Sequence, residues 1–189
     1  MFDSLVRFVR EQYRTNEFIP LHAPVFGGNE QQYVADTITS TFVSSVGAFV
    51  DRFERDMQSY TGSPRAVATV NGTAALHIAL LLAGVKPGEL VITQSLTFVA
   101  TCNAIAYCGA QPVFVDVDRE TLGLSPSALA VWLEAEAFID ADGQCLLKKD
   151  ERVIRACLQM HTFGHPVAMD ELVDVCRRWG LALVEDAAE

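Results

Sequence analysis

Arg65-Ala66-Val67-Ala68-Thr69-Val70-Asn71-Gly72-Thr73-Ala74-Ala75-Leu76-His77-Ile78-Ala79-Leu80-Leu81-Leu82-Ala83 is the stretch that decides the fold class. Its first six residues are short and valine-bearing, which predicts a strand over Arg65–Val70. Asn71 and Gly72 mark a turn, and the alanine- and leucine-rich run Thr73–Ala83 predicts a helix. Strand, tight turn, helix is one half of a crossover unit, and the pattern repeats downstream. Leu90–Thr93 reads as a strand, Phe98–Tyr107 as a helix, and Pro112–Val117 as a strand. Ser125 caps a helix with Pro126 at its first position. Val153–Met160 reads as a strand, Asp170–Trp179 as a helix closed by Gly180, and Leu181–Glu185 as a final strand. Repeated crossovers of this kind predict an α/β fold, with a mainly parallel sheet and helices on both faces. Phe138–Lys149 interrupts the rhythm. Asp142-Gly143 at its centre predicts a β-hairpin insertion with a type I′ turn.

Upstream, the chain reads as helices joined by loops. Leu5, Val6, Phe8 and Val9 recur with helical spacing after Asp3, a candidate N-cap. Phe18–Gly28 contains two prolines and Gly27-Gly28, so it is expected to be irregular. Asn29 is positioned to cap a helix through about Thr39, Ser44-Ser45-Val46-Gly47 breaks it, and Phe49, Val50, Phe53 and Met57 share one face of the next helix. The resulting division is residues 1–64, a helical arm, and residues 65–189, an α/β domain.

Bulk properties narrow the function classes. The chain has 189 residues, half of them hydrophobic, and a net charge of −10. That charge disfavours a nucleic-acid backbone or an anionic membrane surface as partner. No apolar run has the length of a membrane span, and Met1-Phe2-Asp3-Ser4 opens without the basic cluster of a secretory signal. Five cysteines without a C-x-x-C pair read as buried, reduced thiols, and the expected compartment is cytoplasmic.

Ligands of open α/β sheets bind beyond the carboxyl ends of the strands. Asn71-Gly72-Thr73-Ala74-Ala75 offers small residues and free N–H groups at a helix N-terminus, where a phosphate can approach the backbone. Taken alone it reads first as a plain helix cap by Asn71 or Thr73, since short glycine motifs recur by chance. Phe98 could stack on a planar ring or belong to the core. Asp186, ending Val184-Glu185-Asp186, could pair with a ring nitrogen or a cation, or stand as an ordinary exposed strand terminus. His161 and His165 are four apart, but Gly164 and Pro166 argue against a helix there. Loop histidines are the expectation, and no metal site.

The order of these motifs resembles one family. Asn71-Gly72-Thr73-Ala74-Ala75-Leu76, Leu96-Thr97-Phe98-Val99-Ala100-Thr101 with Asn103-Ala104, Pro112-Val113-Phe114-Val115-Asp116-Val117, and Val184-Glu185-Asp186-Ala187-Ala188 together resemble the DegT/StrS sugar-nucleotide aminotransferases. These use pyridoxal 5′-phosphate on the aspartate aminotransferase fold (fold type I). Leu21-His22-Ala23-Pro24-Val25-Phe26, Gly28-Asn29-Glu30, Ser44-Ser45-Val46-Gly47 and Met160-His161-Thr162-Phe163-Gly164-His165-Pro166 resemble the branch that aminates 4-keto-6-deoxy sugars on the route to legionaminic-acid-type sugars.

The resemblance implies roles. Thr73 and Ala74 would hold the cofactor phosphate, Phe98 would stack on the pyridine ring, and Asp186 would pair with the ring nitrogen. Glu189 would lie near the ring hydroxyl, where family members often carry histidine or glutamine. His22, Pro24 and Phe26 would contact the sugar nucleotide. The partners implied are a nucleotide sugar, glutamate as amino donor, and a second subunit in a homodimer. The family's Schiff-base lysine lies downstream of Glu185-Asp186-Ala187-Ala188. Lys86, Lys148 and Lys149 read as surface charges, so no catalytic residue is expected within these residues. The chain is accordingly expected to be an N-terminal fragment, an incomplete large domain that is poorly stable and inactive alone. In the family fold two further strands separate Arg65–Val70 from the rest, so that strand is left without a partner and Leu181–Glu185 becomes an edge. Two alternatives remain: a deoxysugar dehydratase of the same family, in which histidine replaces the lysine, or a non-catalytic phosphate- or cofactor-binding remnant.

Overall fold

The computed structural model describes residues 2–20 and 23–189. Contacts divide the chain into two units, Met1–Ala68 and Thr69–Glu189.

The first unit is helical. Helix α1 spans Asp3–Tyr13, with Phe2 rather than Asp3 at the N-cap position, so Asp3 places its charge in the first turn. Helix α2 spans Glu30–Ser40. Asn29 occupies its N-cap position without a side-chain cap; instead Glu30 reaches back, and its Oε2 accepts from the Gly28 N–H at 2.9 Å. Helix α3 spans Ala48–Thr61 and begins after Gly47, where the serine-rich break was expected. The Tyr33 and Phe49 rings meet at 5.1 Å between centroids. Arg65–Val70 does not form the expected strand: no regular pairing involves it, and Val67 and Val70 are 78% and 89% exposed. A β-conformation is held by ladder partners, not by valine content alone.

The second unit is built on a four-stranded sheet. Helix α4 covers Gly72–Leu82, strand β1 Leu90–Gln94, helix α5 Val99–Tyr107 and strand β2 Gln111–Val115. Helix α6 covers Pro126–Glu136, strands β3 and β4 Ala137–Ile139 and Cys145–Leu147, and strand β5 Ile154–Met160. A 3-10 turn at Thr162–Gly164, helix α7 (Met169–Arg178) and strand β6 (Ala182–Asp186) complete it. The order is β2-β1-β5-β6, with every pair parallel. Strand β1 is buried along its whole length, as a central parallel strand must be. One face is covered by α6 and α7, whose Leu129, Leu133, Leu172 and Cys176 pack on Ile92, Ile154 and Cys157. The other is covered by α4 and α5, through Leu76, Leu80, Ala104 and Ile105 on Val91, Ala156 and Leu158.

The local signals behave as their chemistry requires. Ser125 Oγ accepts from the Ala128 N–H at 3.2 Å, with Pro126 at the first helical position. The hairpin forms as an antiparallel pair, Ala137↔Leu147 to Ile139↔Cys145. Its turn is not type I′, which needs two positive φ angles: only Gly143 is left-handed, at φ 79°. The Asp140 carboxylate explains the difference, since its Oδ1 accepts from both the Asp142 and Gln144 N–H groups and organises a longer loop.

Two polar features tie the sheet together. Arg155 on β5 makes a paired contact with Glu89, at 2.7 and 3.1 Å. Burial pushes the Glu89 carboxyl up, but the Arg155 guanidinium and the Lys86 N–H outweigh it and leave the group below its ordinary value. Gln94, fully buried at the end of β1, accepts from the N–H groups of Leu124 and Met160 and donates to Leu96 O and Thr162 Oγ1. It fixes the loop after β1, the approach to α6 and the turn after β5 relative to one another. All five cysteines are free, and four are buried. Among the described residues no helix is long and apolar enough to cross a membrane.

Candidate functional site

The carboxyl ends of β1, β5 and β6 open onto a cavity of about 280 Å³ lined by Gly72, Thr73, Leu76, Phe98, Met160, Asp186 and Glu189, with Ala100 and Ala188. That size is at the lower end of small-molecule sites, roughly 300–1,000 Å³. Larger hollows exist along α1 and around the α2–α3 turn, but they are lined only by residues of the helical unit, none of them expected at a cofactor site. The smaller cavity lies where sheet topology puts ligands.

Four of the five residues expected at a cofactor site, Thr73, Phe98, Asp186 and Glu189, line this one cavity. The fifth, Ala74, does not: its N–H is donated to Asn71 Oδ1 at 2.8 Å. Asn71 thus caps α4, and the phosphate-cradle and cap readings apply to different residues of the motif. Within the first turn of a helix the N–H groups have no intrahelical acceptor, so Gly72 and Thr73 present theirs at the positive end of the α4 dipole. A Cβ on Gly72 would meet nothing within 4 Å, so the space beside that backbone is open.

Asp186 is 5% exposed, so it is not the solvated strand terminus that its position in the sequence allowed. Its Oδ2 accepts from Thr101 Oγ1 at 2.6 Å, and its Oδ1 has only a long contact, 3.4 Å, from the Ala188 N–H. Phe98 is 67% exposed at the N-cap of α5, so its ring is a surface of the cavity rather than core. The Met160 sulfur lies 3.4 Å from the Phe98 backbone nitrogen and accepts from its N–H.

His161 is a hydrogen-bonded loop residue. Its Nδ1 accepts from the Val167 N–H at 3.2 Å, and its Nε2 lies 3.1 Å from Glu185 Oε2 and from the Gln159 side chain. Among the described residues no group of three or more His, Cys, Asp or Glu is placed to hold a metal. His22 lies outside the described residues. Pro24 and Phe26 are exposed on an irregular segment of the Met1–Ala68 unit. None of the three lysines lines the cavity: Lys86 and Lys149 are exposed, and Lys148 donates through Nζ to the carbonyls of Glu134 and Ala135 at the end of α6.

Thr101 was missed from the sequence. A buried threonine in an alanine-rich helix carries no signal of its own. The usable clue was its spacing, three residues after Phe98 at a helix start, which puts both on the same side of the first turn.

A planar aromatic face, a helix N-terminus and a buried carboxylate around one cavity suit a flat, phosphorylated, nitrogen-bearing ring. The site has the make-up of α/β domains that hold such a cofactor at the sheet's carboxyl edge. The sequence comparison narrows the class, since residues 24–189 match the model of the DegT/DnrJ/EryC1/StrS aminotransferase family, and the chain belongs to that family. It is 37% identical over 171 residues to the GDP-perosamine synthase of Caulobacter vibrioides, covering 90% of this chain and 42% of that protein. It is 38% identical over 171 residues to the putative pyridoxal phosphate-dependent aminotransferase EpsN of Bacillus subtilis, covering 90% and 41%. Among solved structures, the aminotransferase from Psychrobacter cryohalolentis superposes with a TM-score of 0.74 at 28% identity, covering 91% of this chain and 39% of that one. The chain thus spans about two fifths of the length of the curated relatives it matches. The family's aminotransferases depend on pyridoxal or pyridoxamine phosphate.

Proposed function

We propose that this chain carries the cofactor-recognition part of an aminotransferase that aminates a nucleotide-linked 4-keto-6-deoxy sugar, with glutamate as amino donor. The observation that carries the reading is Asp186: a buried carboxylate with one under-used oxygen, lining the same cavity as Phe98 and the α4 N-terminus. In this reading Thr73, with its neighbour Gly72, holds the cofactor phosphate at the helix dipole, while Ala74 gives its N–H to the Asn71 cap. Phe98 covers the ring face and excludes water from it. Asp186 keeps a proton on the ring nitrogen, and Glu189 stands towards the ring hydroxyl. His22, Pro24 and Phe26 contact the sugar nucleotide. Bound pyridoxal phosphate supplies an electron sink for the carbanion formed at the amino-bearing carbon. The name of the Caulobacter relative, GDP-perosamine synthase, supports a nucleoside-diphosphate sugar as substrate.

Transamination also needs an amine that binds the cofactor and moves the proton. Lys86, Lys148 and Lys149 are not at the cavity, so the 189 residues bind cofactor without completing the chemistry and do not aminate alone. The same observation favours a second reading, a non-catalytic cofactor-binding protein. The assembled enzyme is expected to be a homodimer.

Equilibrium binding of pyridoxal phosphate to the chain and to Asp186→Ala tests the proposal. Loss of a hydrogen bond to a charged group costs about 1.5–3 kcal/mol, a weakening of roughly 10- to 100-fold. Equal affinity of the two proteins, or no binding by the unmodified chain, refutes the cofactor reading. Amination of a nucleotide-linked keto sugar by the isolated chain refutes the claim that it lacks the amine.

A further inference from the structure

The geometry points to Thr101, backed by Thr97, as a positioning residue that decides which oxygen of Asp186 is offered to the ring nitrogen of the cofactor. The inference rests on the cofactor reading above and adds to it a residue and a device.

Thr101 is fully buried, and its hydroxyl lies 2.6 Å from Asp186 Oδ2 and 2.7 Å from Thr97 Oγ1. Thr97 Oγ1 in turn lies 3.0 Å from the Met160 sulfur. Each hydroxyl has one proton, so the direction of the chain follows from its end. Asp186 as a carboxylate only accepts, so the Thr101 proton points to Oδ2. Thr97 must then give its own proton to Thr101, and its contact with the Met160 sulfur carries no proton. The 2.6 Å separation falls in the range of a charge-assisted O–H···O⁻ bond, about 2.5–2.7 Å.

The consequence is a division of labour between the two carboxylate oxygens. Oδ2 is occupied by a short, buried hydroxyl. Oδ1 keeps only the 3.4 Å approach of the Ala188 N–H, and it is the oxygen left for a ligand in the cavity. A carboxylate that accepts one strong bond at the back cannot rotate without breaking it, so Oδ1 is held in place before a ligand arrives. The same helical turn sets the ring-stacking surface: the Thr101 N–H donates to Phe98 O at 3.1 Å, so Phe98 and Thr101 move as one unit. The face and the edge of the ring are thus located by a single turn of α5.

The test uses the 189-residue chain and its Thr101→Val, Thr101→Ser and Thr97→Val variants. Two quantities are read: the dissociation constant of pyridoxal phosphate by equilibrium dialysis, and the ¹⁵N resonance of ring-labelled bound cofactor. Thr101→Val is expected to weaken binding about 10- to 100-fold and to move the ring-nitrogen resonance towards that of the unprotonated base. Thr101→Ser keeps the hydroxyl and is expected to restore both, with affinity within about threefold of the unmodified chain. Thr97→Val leaves the Thr101 hydroxyl but removes its donor, and is expected to weaken binding roughly fivefold. It serves as the readout if Thr101→Val does not fold. A loss of packing alone would lower affinity without moving the ¹⁵N resonance, and that result overturns the inference. So does an unchanged affinity and resonance in Thr101→Val, or, where that variant does not fold, in Thr97→Val. Absence of binding by the unmodified chain overturns the cofactor reading and this inference with it; binding that ignores Thr101 and Thr97 overturns this inference alone.

Discussion

Replacing Gln94 with leucine removes four hydrogen bonds from the inner end of β1, and the consequence can be worked out group by group. The Leu124 N–H, which donates to Gln94 Oε1 at 2.8 Å, belongs to a fully buried residue and is left without an acceptor. The Met160 N–H loses a longer bond of 3.3 Å to the same oxygen. Thr162 Oγ1 loses a donor but still donates to Leu122 O at 3.0 Å, and Leu96, 40% exposed, can turn its carbonyl to water. A buried donor left unpaired costs about 1–3 kcal/mol, and a second, weaker loss adds about 1. The expected destabilisation is therefore about 3 kcal/mol, with little offset from the apolar substitution because the volume is conserved. For a chain of this size that lowers the melting temperature by roughly 10 °C. Urea unfolding followed by near-ultraviolet circular dichroism measures it, with the slope of the transition checked for constancy. Gln94→Glu separates hydrogen bonding from packing. It keeps the acceptor oxygens, loses the donor and puts a charge in a dry site, so it is expected to be at least as damaging. A change below about 0.5 kcal/mol in Gln94→Leu would refute the claim that Gln94 holds the three loops together.

The Glu89–Arg155 pair makes a pH-dependent contribution. Glu89 lies below its ordinary value, so its stabilisation is complete above the usual glutamate range near about 4.3 and is lost as pH falls through the lowered value. Glu89→Gln is expected to cost about 1–2 kcal/mol at pH 7 and to become indistinguishable from the unmodified chain well below pH 4, by thermal melts across pH. Thiol labelling is expected to be slow in the folded chain, with Cys102, the one cysteine not fully buried, modified first. Burial pushes the Cys145 thiol up to about 11, so it should resist alkylation at pH 8 until denaturant is added, when mass spectrometry should find all five labelled.

Elements whose signals are local were legible in the residues. Helix α6 begins at Ser125-Pro126 because a hydroxyl cap and a fixed φ act within four residues. The parallel sheet followed from apolar runs returning at crossover spacing, and the four strands β1, β2, β5 and β6 appear where those runs lie. Arg65–Val70 shows the limit of a local reading: its valines favour a strand, but a strand needs a neighbour, and the expectation that none is present came from the family resemblance, not from composition within six residues. The hairpin turn failed for a related reason: Asp142-Gly143 favours type I′, but Asp140, outside the dipeptide, captures the backbone N–H groups and sets a longer loop.

The candidate site divides in the same way. Sequence by itself determined the family, the parallel α/β class and most of the residues at the carboxyl edge, because those depend on residue type in chain order. It also supplied Asn71, Thr73, Phe98 and Asp186 as candidates without deciding between structural and ligand-binding roles. Tertiary structure decided that Asp186 is buried rather than solvated, that Asn71 takes the Ala74 N–H, and that Thr101, 85 positions before Asp186, grips one of its oxygens. Those facts depend on which side chains the packed sheet and helices bring within about 3 Å, the reach of a hydrogen bond. That distance is set by the packing of α4 and α5 on the sheet, and no spacing along the chain encodes it.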